Sequence, residues 1–167
     1  MTVKWQLLAE GQVGTREIRG SANNPVILGY RKDARCSWMK GSEEAVPWCA
    51  IFVNAMLERA GVKGTASPAA KSFTTSTLFK RLAGPAAGAI CVIERNPPHP
   101  SLGHVGFAVA ADAFHVWLVG GNQADAVNVS RFPLSRVVGF YWPAGQTSPL
   151  IGNFGGQLAA VDGGKVV

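Results

Sequence analysis

The sequence predicts an α+β domain in which helices come first and an antiparallel sheet follows. Two observations carry this. Pro47–Gly61 is an apolar run with helical spacing and a glycine stop, whereas beyond Gly84-Pro85 the period shortens to that of strands. Consecutive strands with short turns between them pair as antiparallel hairpins. The chain is also of a size and composition to fold as one body: 167 residues, 47% hydrophobic and 16% charged, suffice for a core without disulfide staples.

Taken in order, a short helix is expected from Trp5 to Gln12, followed by a loop rich in Gly, Asn and Pro up to Pro25. The clearest helix is Pro47-Trp-Cys-Ala-Ile-Phe-Val-Asn-Ala-Met-Leu-Glu-Arg-Ala-Gly61. Proline suits its first turn, where the missing N–H would have no partner anyway, and Gly61 is a natural end. Cys49, Val53, Met56 and Ala60 share one face, so Cys49 should point toward the protein body. A second short helix follows Ser67-Pro68. The strands are then Gly88–Glu94, His104–Ala111, His115–Gly120, Ala126–Ser130 and Val137–Trp142. From Ala144 the chain is Gly-rich and weakly patterned. The organisation expected is a catalytic domain over residues 1–143 and a tail over 144–167 that is either mobile or laid over the domain.

Composition removes several function classes. No apolar run approaches the roughly 18 residues of a membrane span, and MTVKWQLLAEGQ lacks the uninterrupted apolar stretch of a signal peptide. The expectation is synthesis in the cytoplasm of a bacterial host, without stable membrane insertion. Sixteen Lys and Arg against ten Asp and Glu give a net charge of +6, which favours an anionic partner. The densest basic patches, Lys32–Arg35 and Lys80-Arg81, form neither a basic helix nor an aromatic-interleaved stripe, so nucleic acid is not the partner expected. A Gly-x-Ser-x-Gly elbow, a His-Glu-x-x-His helix and a phosphate-cradling glycine loop are all absent.

What remains is thiol chemistry. Three cysteines, Cys36, Cys49 and Cys91, are an odd number without Cys-x-x-Cys spacing, which disfavours a disulfide framework or a structural zinc site. Cys91 lies in the apolar strand Ala-Ile-Cys-Val-Ile and reads as core. Cys36 is in a loop beside a basic residue but lacks a helix N-terminus. Cys49 sits in the first turn of its helix, where unpaired N–H groups and the helix dipole should lower the thiol pKa and hold an oxyanion. Among the histidines, His99 is in the rigid loop Asn-Pro-Pro-His-Pro, where it can line a cleft. His104 opens a strand, the firm placement a general base needs. A hairpin turning near Asp112–Ala113 would set His104 opposite Gly121, with Asn122 beside it as the group that orients the imidazole; Gln123 is the adjacent alternative and His115 the more distant one. Trp48, next to the nucleophile, is the candidate for a cleft wall.

The stretches Pro47-Trp48-Cys49-Ala50-Ile51-Phe52-Val53-Asn54, Gly103-His104-Val105-Gly106-Phe107 and Gly120-Gly121-Asn122-Gln123 followed by Asp125-Ala126-Val127 resemble the NlpC-type cell-wall peptidases and the related cysteine–histidine-dependent amidohydrolase/peptidases. Glu17-Ile18, Asn24-Pro25 and Val138–Pro143 look like a phage-associated branch of that group. The resemblance spans roughly residues 5 to 143. It implies a papain-like α+β fold with the nucleophile helix packed on the sheet that carries the histidine, no metal or other cofactor, Cys49 as nucleophile and His104 as base. A second histidine about a dozen residues after the first, as in many NlpC-type enzymes, would be His115; the amidohydrolase pattern of Glu or Asn further on fits Asn122 better. Gly88-Ala89-Ile90 departs from the family's frequent Gly-Asp-Ile.

The function so implied is hydrolysis of an amide in peptidoglycan, in the stem peptide or at the sugar–peptide junction, by a monomeric phage lysin acting on the cell wall. Alternatives are a secreted antibacterial effector amidase of the same chemistry and a catalytically inactive cell-wall binding module. Trp48, His99 and Gln123 are the expected substrate contacts.

Overall fold

The computed structural model describes residues 1–19, 23–42 and 46–156. Four helices, α1 (Lys4–Glu10), α2 (Pro25–Asp33), α3 (Cys49–Arg59) and α4 (Ser72–Thr75), precede the sheet. The strands are β1 (Phe79–Arg81), β2 (Ile90–Glu94), β3 (Gly103–Ala111), β4 (His115–Gln123), β5 (Ala126–Pro133) and β6 (Val137–Pro143), with a 3₁₀ turn at Leu134–Arg136. They form one antiparallel sheet in the order β1-β6-β2-β3-β4-β5. The α+β class and all five expected strands are therefore present, with ends shifted by a few residues. Among the described residues, no helix is long and apolar enough to cross a membrane.

The elements that differ from expectation do so for local reasons. Helix α2 begins at Pro25, where the sequence predicts no helix: Asn24 Oδ1 accepts from Val26 N at 2.9 Å and Pro25 occupies the first turn, a capped start. Strand β1 is three residues long and is recruited by β6, through Phe79↔Pro143 and Arg81↔Tyr141. Pro47 is outside α3 rather than in its first turn; the helix begins at Cys49, with Trp48 as its N-cap residue.

Helix α3 is the centre of the molecule. Cys49 through Leu57 are all buried, so this is a helix enclosed on every side rather than one with a single apolar stripe. Helices α1 and α2 and strands β3 and β4 pack around it. Two features allow its close approach to the sheet. Gly121 has no side chain where a Cβ would stand 2.6 Å from Trp48 and 2.7 Å from Phe52. Tyr30 of α2 lies against Trp48 (centroids 6.2 Å, near-parallel) and edge-on to Phe52 (5.3 Å), closing the other side. Asn54, buried in the same helix, holds the following loop by accepting from Thr65 N and donating to Ser67 O.

The expected β3–β4 hairpin is present. Its turn is built by Asp112, whose Oδ1 accepts from Phe114 N and His115 N at 2.8 and 2.7 Å, an Asx turn. Residues 14–17 run beside the outer strand: Gly14 N and Glu17 N donate to Val127 O and Asp125 O, and Val127 N returns to Thr15 O. This covers part of an edge that would otherwise expose unpaired backbone groups. At the other end of the chain, residues 144–156 lie over the domain. Gly152 N donates to Pro85 O, and Phe154 pairs with Ala111 at the end of β3. The remainder of the tail, 157–167, is outside the described residues.

Candidate active site

Cys49 is the first residue of α3, and no side chain caps that helix start. The amides of Val105, Ala50 and Cys49 itself lie within hydrogen-bonding reach of the sulfur. The Val105 amide belongs to the peptide that joins it to His104, so the thiol rests against the backbone of the histidine's own strand. Burial nevertheless decides the thiol's acidity. Cys49 is 5% exposed, and loss of solvent raises its pKa despite the amides that favour a thiolate. The expectation of a lowered thiol pKa from the helix terminus is thereby corrected: desolvation outweighs the helix terminus.

His104 opens β3 half-buried. Its Nε2 is 2.9 Å from Gln123 Oε1, and its ring stacks on Phe132 of β5 with centroids 5.3 Å apart and planes at 28°. One contact fixes the ring's direction and the other its plane. Burial again dominates its titration, lowering the pKa; the Gln123 bond opposes this, and the Arg136 charge reinforces it. Thiol and imidazole are both shifted toward their neutral forms.

The orientation of Gln123 is set by its surroundings. Its Nε2 donates to Asn128 O and Asn128 Oδ1, both at 2.8 Å, and to Leu118 O at 3.3 Å. Those acceptors require the amide nitrogen on their side, which leaves Oε1 facing the imidazole as an acceptor. His104 Nε2 must then carry the proton, and Nδ1 keeps a free lone pair. Asn128 is fixed in turn, donating from Nδ2 to Gln123 O at 2.8 Å and accepting from Ser130 Oγ at 2.7 Å.

The residue on the imidazole is thus Gln123 and not Asn122, and the reason is a β-bulge. The β4–β5 register shifts between Gly120 and Gln123, and Asn122 takes up the shift with φ 57°. Asn is among the few residues that adopt this left-handed conformation readily, so Asn122 acts through its backbone. The strand resumes with Gln123 folded back over Gly120, where a Cβ would come within 2.6 Å of Oε1. The two-residue turn that follows, Ala124-Asp125, has φ of 50° and 58°, the pattern of a type I′ hairpin.

The other candidates fall elsewhere. His115 is at the turn of the β3–β4 hairpin, with Nδ1 3.8 Å from Asp112 Oδ1 and its ring 6.0 Å from Trp117; it makes no hydrogen bond to His104. Trp48 is 1% exposed and donates its Nε1 to Glu17 Oε1 at 2.6 Å. It is core and does not line an open cleft. His99 is exposed in the β2–β3 loop, but its Nδ1 is taken up by Ser101 N and Leu102 N at 3.2 and 3.1 Å, so it shapes that loop. Cys36 is buried against Ala34 O, and Cys91 is buried in β2, its thiol pushed far up by desolvation. A cavity of about 920 Å³ lies away from Cys49 and His104, between the N-terminal segment and residues 146–154.

Three contributors lie outside the sequence expectations. Phe132 and Asn128 carry no catalytic signature in sequence, since a stacking ring and a buried amide look like ordinary strand residues. Arg136 ends a proline-led turn, and only the sheet order brings it near the histidine. Comparison with family models, with curated proteins and with solved structures finds no match to this chain.

Removal of the Gln123 side chain leaves a half-buried imidazole N–H and the Asn128 acceptors without their partner, so Gln123→Ala is expected to lose about 1–3 kcal/mol of unfolding free energy. Asn122→Gly, which suits φ 57° at least as well, is expected to stay within about 0.5 kcal/mol of the parent. Urea titrations of the two variants check both. The reverse ranking would return the orienting role to Asn122.

Proposed function

We propose that the protein is a papain-like cysteine amidase or peptidase that hydrolyses an amide bond in peptidoglycan, as a phage lysin does. The observation that carries the chemistry is the single neighbourhood containing Cys49 at an uncapped helix start, the adjoining His104 peptide, and a histidine locked by Gln123 with its Nδ1 unprotonated. A nucleophile helix packed on an antiparallel sheet that bears the base is also the arrangement implied by the sequence resemblance. The cell wall as target rests on that resemblance and on the +6 charge, which suits an anionic envelope.

The shifts toward neutral thiol and neutral imidazole set the first step. Cys49 does not wait as a stable thiolate; its proton passes to His104 Nδ1 as sulfur attacks the carbonyl carbon, and the first amides of α3 receive the oxyanion. Gln123 Oε1 stabilises the imidazolium so formed. The imidazolium then protonates the leaving amine as the C–N bond breaks, giving a thioester. Water, deprotonated by the same Nδ1, attacks the thioester and releases the carboxylic acid and the thiol. Gln123 fills the place that Asn takes in a Cys-His-Asn arrangement, one methylene longer and reaching back across Gly120.

Incubation of the protein with peptidoglycan sacculi is expected to release soluble fragments, identified by mass spectrometry as new peptide N-termini or free lactyl ends. Cys49→Ala and His104→Ala are each expected to lose at least about 10³-fold in rate. Undiminished release by Cys49→Ala would contradict the thiol mechanism, and no release by the parent protein would favour a binding module.

The pH dependence follows from the two shifts. His104, with its pKa lowered, stays neutral and basic at pH values just below its ordinary 6.5, and loses that capacity only as pH falls further. Cys49, with its pKa raised, stays protonated past an ordinary 9.0. The rate is expected to be flat between about pH 6.5 and 9, with the acid limb below that window. An acid limb centred above pH 6.5 would contradict a neutral His104 as base.

A further inference from the structure

Lys71 and Arg136 both lie near the start of β3, and they differ in what they are paired with. Lys71 packs its stem within 3.5 Å of the Gly103 position. Its Nζ lies 3.0 Å from both carboxylate oxygens of Glu94 and donates to His99 O as well. Arg136 has no carboxylate partner among the described residues. Its Nε and Nη2 donate instead to the backbone carbonyl of Glu94, at 3.1 and 2.9 Å. The Nη1 edge of the same half-buried guanidinium has no protein partner among the described residues.

The position of Arg136 is set by the sheet. Val137, the next residue, pairs with Ile93, and Ile93 pairs with His104. Glu94, whose carbonyl Arg136 grips, pairs with Gly103, the residue before His104. The sheet order β6-β2-β3 therefore holds the cation at the same end of the sheet as the start of β3, with β2 between them. Its charge acts on the His104 ring, disfavouring the imidazolium. A cation placed beside a base that must become positive opposes the reaction unless an anion arrives to offset it. Arginine's planar fork is shaped to receive such an anion, because two N–H groups anchor it to the β2 carbonyl and the remaining edge can hold a carboxylate.

We propose that Arg136 is a substrate-recognition residue, pairing with a free carboxylate that the substrate bears next to the scissile amide. The inference rests on the amidase reading above and extends it to substrate class. The bound carboxylate offsets the Arg136 charge just where His104 becomes protonated, so an anionic substrate completes the site electrostatically, whereas an amidated one leaves the cation unpaired.

The test uses two synthetic peptides of stem-peptide type that differ only in that group, a carboxylate in one and a carboxamide in the other. The parent protein is expected to cleave the carboxylate form with kcat/KM about 10- to 100-fold higher. Arg136→Gln is expected to bring the ratio near one, and Arg136→Lys to keep part of it. Because each ratio compares two substrates with the same preparation, partial unfolding of a variant does not distort it. Equal cleavage of both peptides by the parent protein, or an unchanged ratio in Arg136→Gln, would overturn the assignment and leave the amidase reading standing. Cleavage of neither peptide by the parent protein would overturn both.

Discussion

The hydrogen bond from His104 Nε2 to Gln123 Oε1 is the constraint on which the proposed chemistry depends. It selects the tautomer, and so decides which nitrogen can accept a proton. Gln123 can impose that choice because its own amide nitrogen is committed to Asn128 and Leu118, so a flip would set carbonyl oxygens against carbonyl oxygens. The order of causes runs outward from His104, through Gln123 and Asn128 to Ser130, with each polar atom's role set by the next. Such a network is worth most when every member is satisfied.

Two glycines and a bulge make that network possible. Gly120 leaves the space into which Gln123 folds, and Gly121 leaves the space into which Trp48 and Phe52 press. Between them and Gln123, Asn122 absorbs the register shift in a left-handed conformation. The same four residues therefore seat α3 on the sheet and set Gln123 against His104. Burial of the helix on every side favours the neutral thiol of Cys49, and under the proposed mechanism proton transfer to His104 is then part of the attack rather than a step completed beforehand.

Much of this is legible in the sequence. The α3 apolar run, the five strand runs and the change of period after Gly84-Pro85 lead directly to an α+β domain. Cys49 and His104 stand out because one opens a helix and the other a strand. The third residue is harder. A hairpin register reaches the right neighbourhood, but one inserted residue turns a strand's side chains to the other face. The bulge that exchanges Asn122 for Gln123 leaves no mark that separates it from an ordinary Gly-Gly-Asn turn. The thiol's acidity escapes the sequence for a related reason: the helix terminus is visible there, whereas the depth at which that terminus is buried is a property of the packed whole. Trp48 looks like a cleft wall because it adjoins Cys49 in the chain, although in space it faces Tyr30 and Glu17. Helix α2 is masked by the loop composition before it, even though Asn24-Pro25 is a good helix start.

If Gln123 holds His104 as a base, the ring's proton sits on Nε2 and its lone pair on Nδ1. The most direct test is nitrogen NMR of the ¹⁵N-histidine-labelled protein near pH 7.5, with His104 assigned by its absence from a His104→Gln sample. The expected result is a pyrrole-like shift at Nε2 and a pyridine-like shift at Nδ1 for this ring, with both moving toward averaged values in Gln123→Ala. A proton found on Nδ1 in the parent protein, or averaging of the two nitrogens with Gln123 in place, would contradict it.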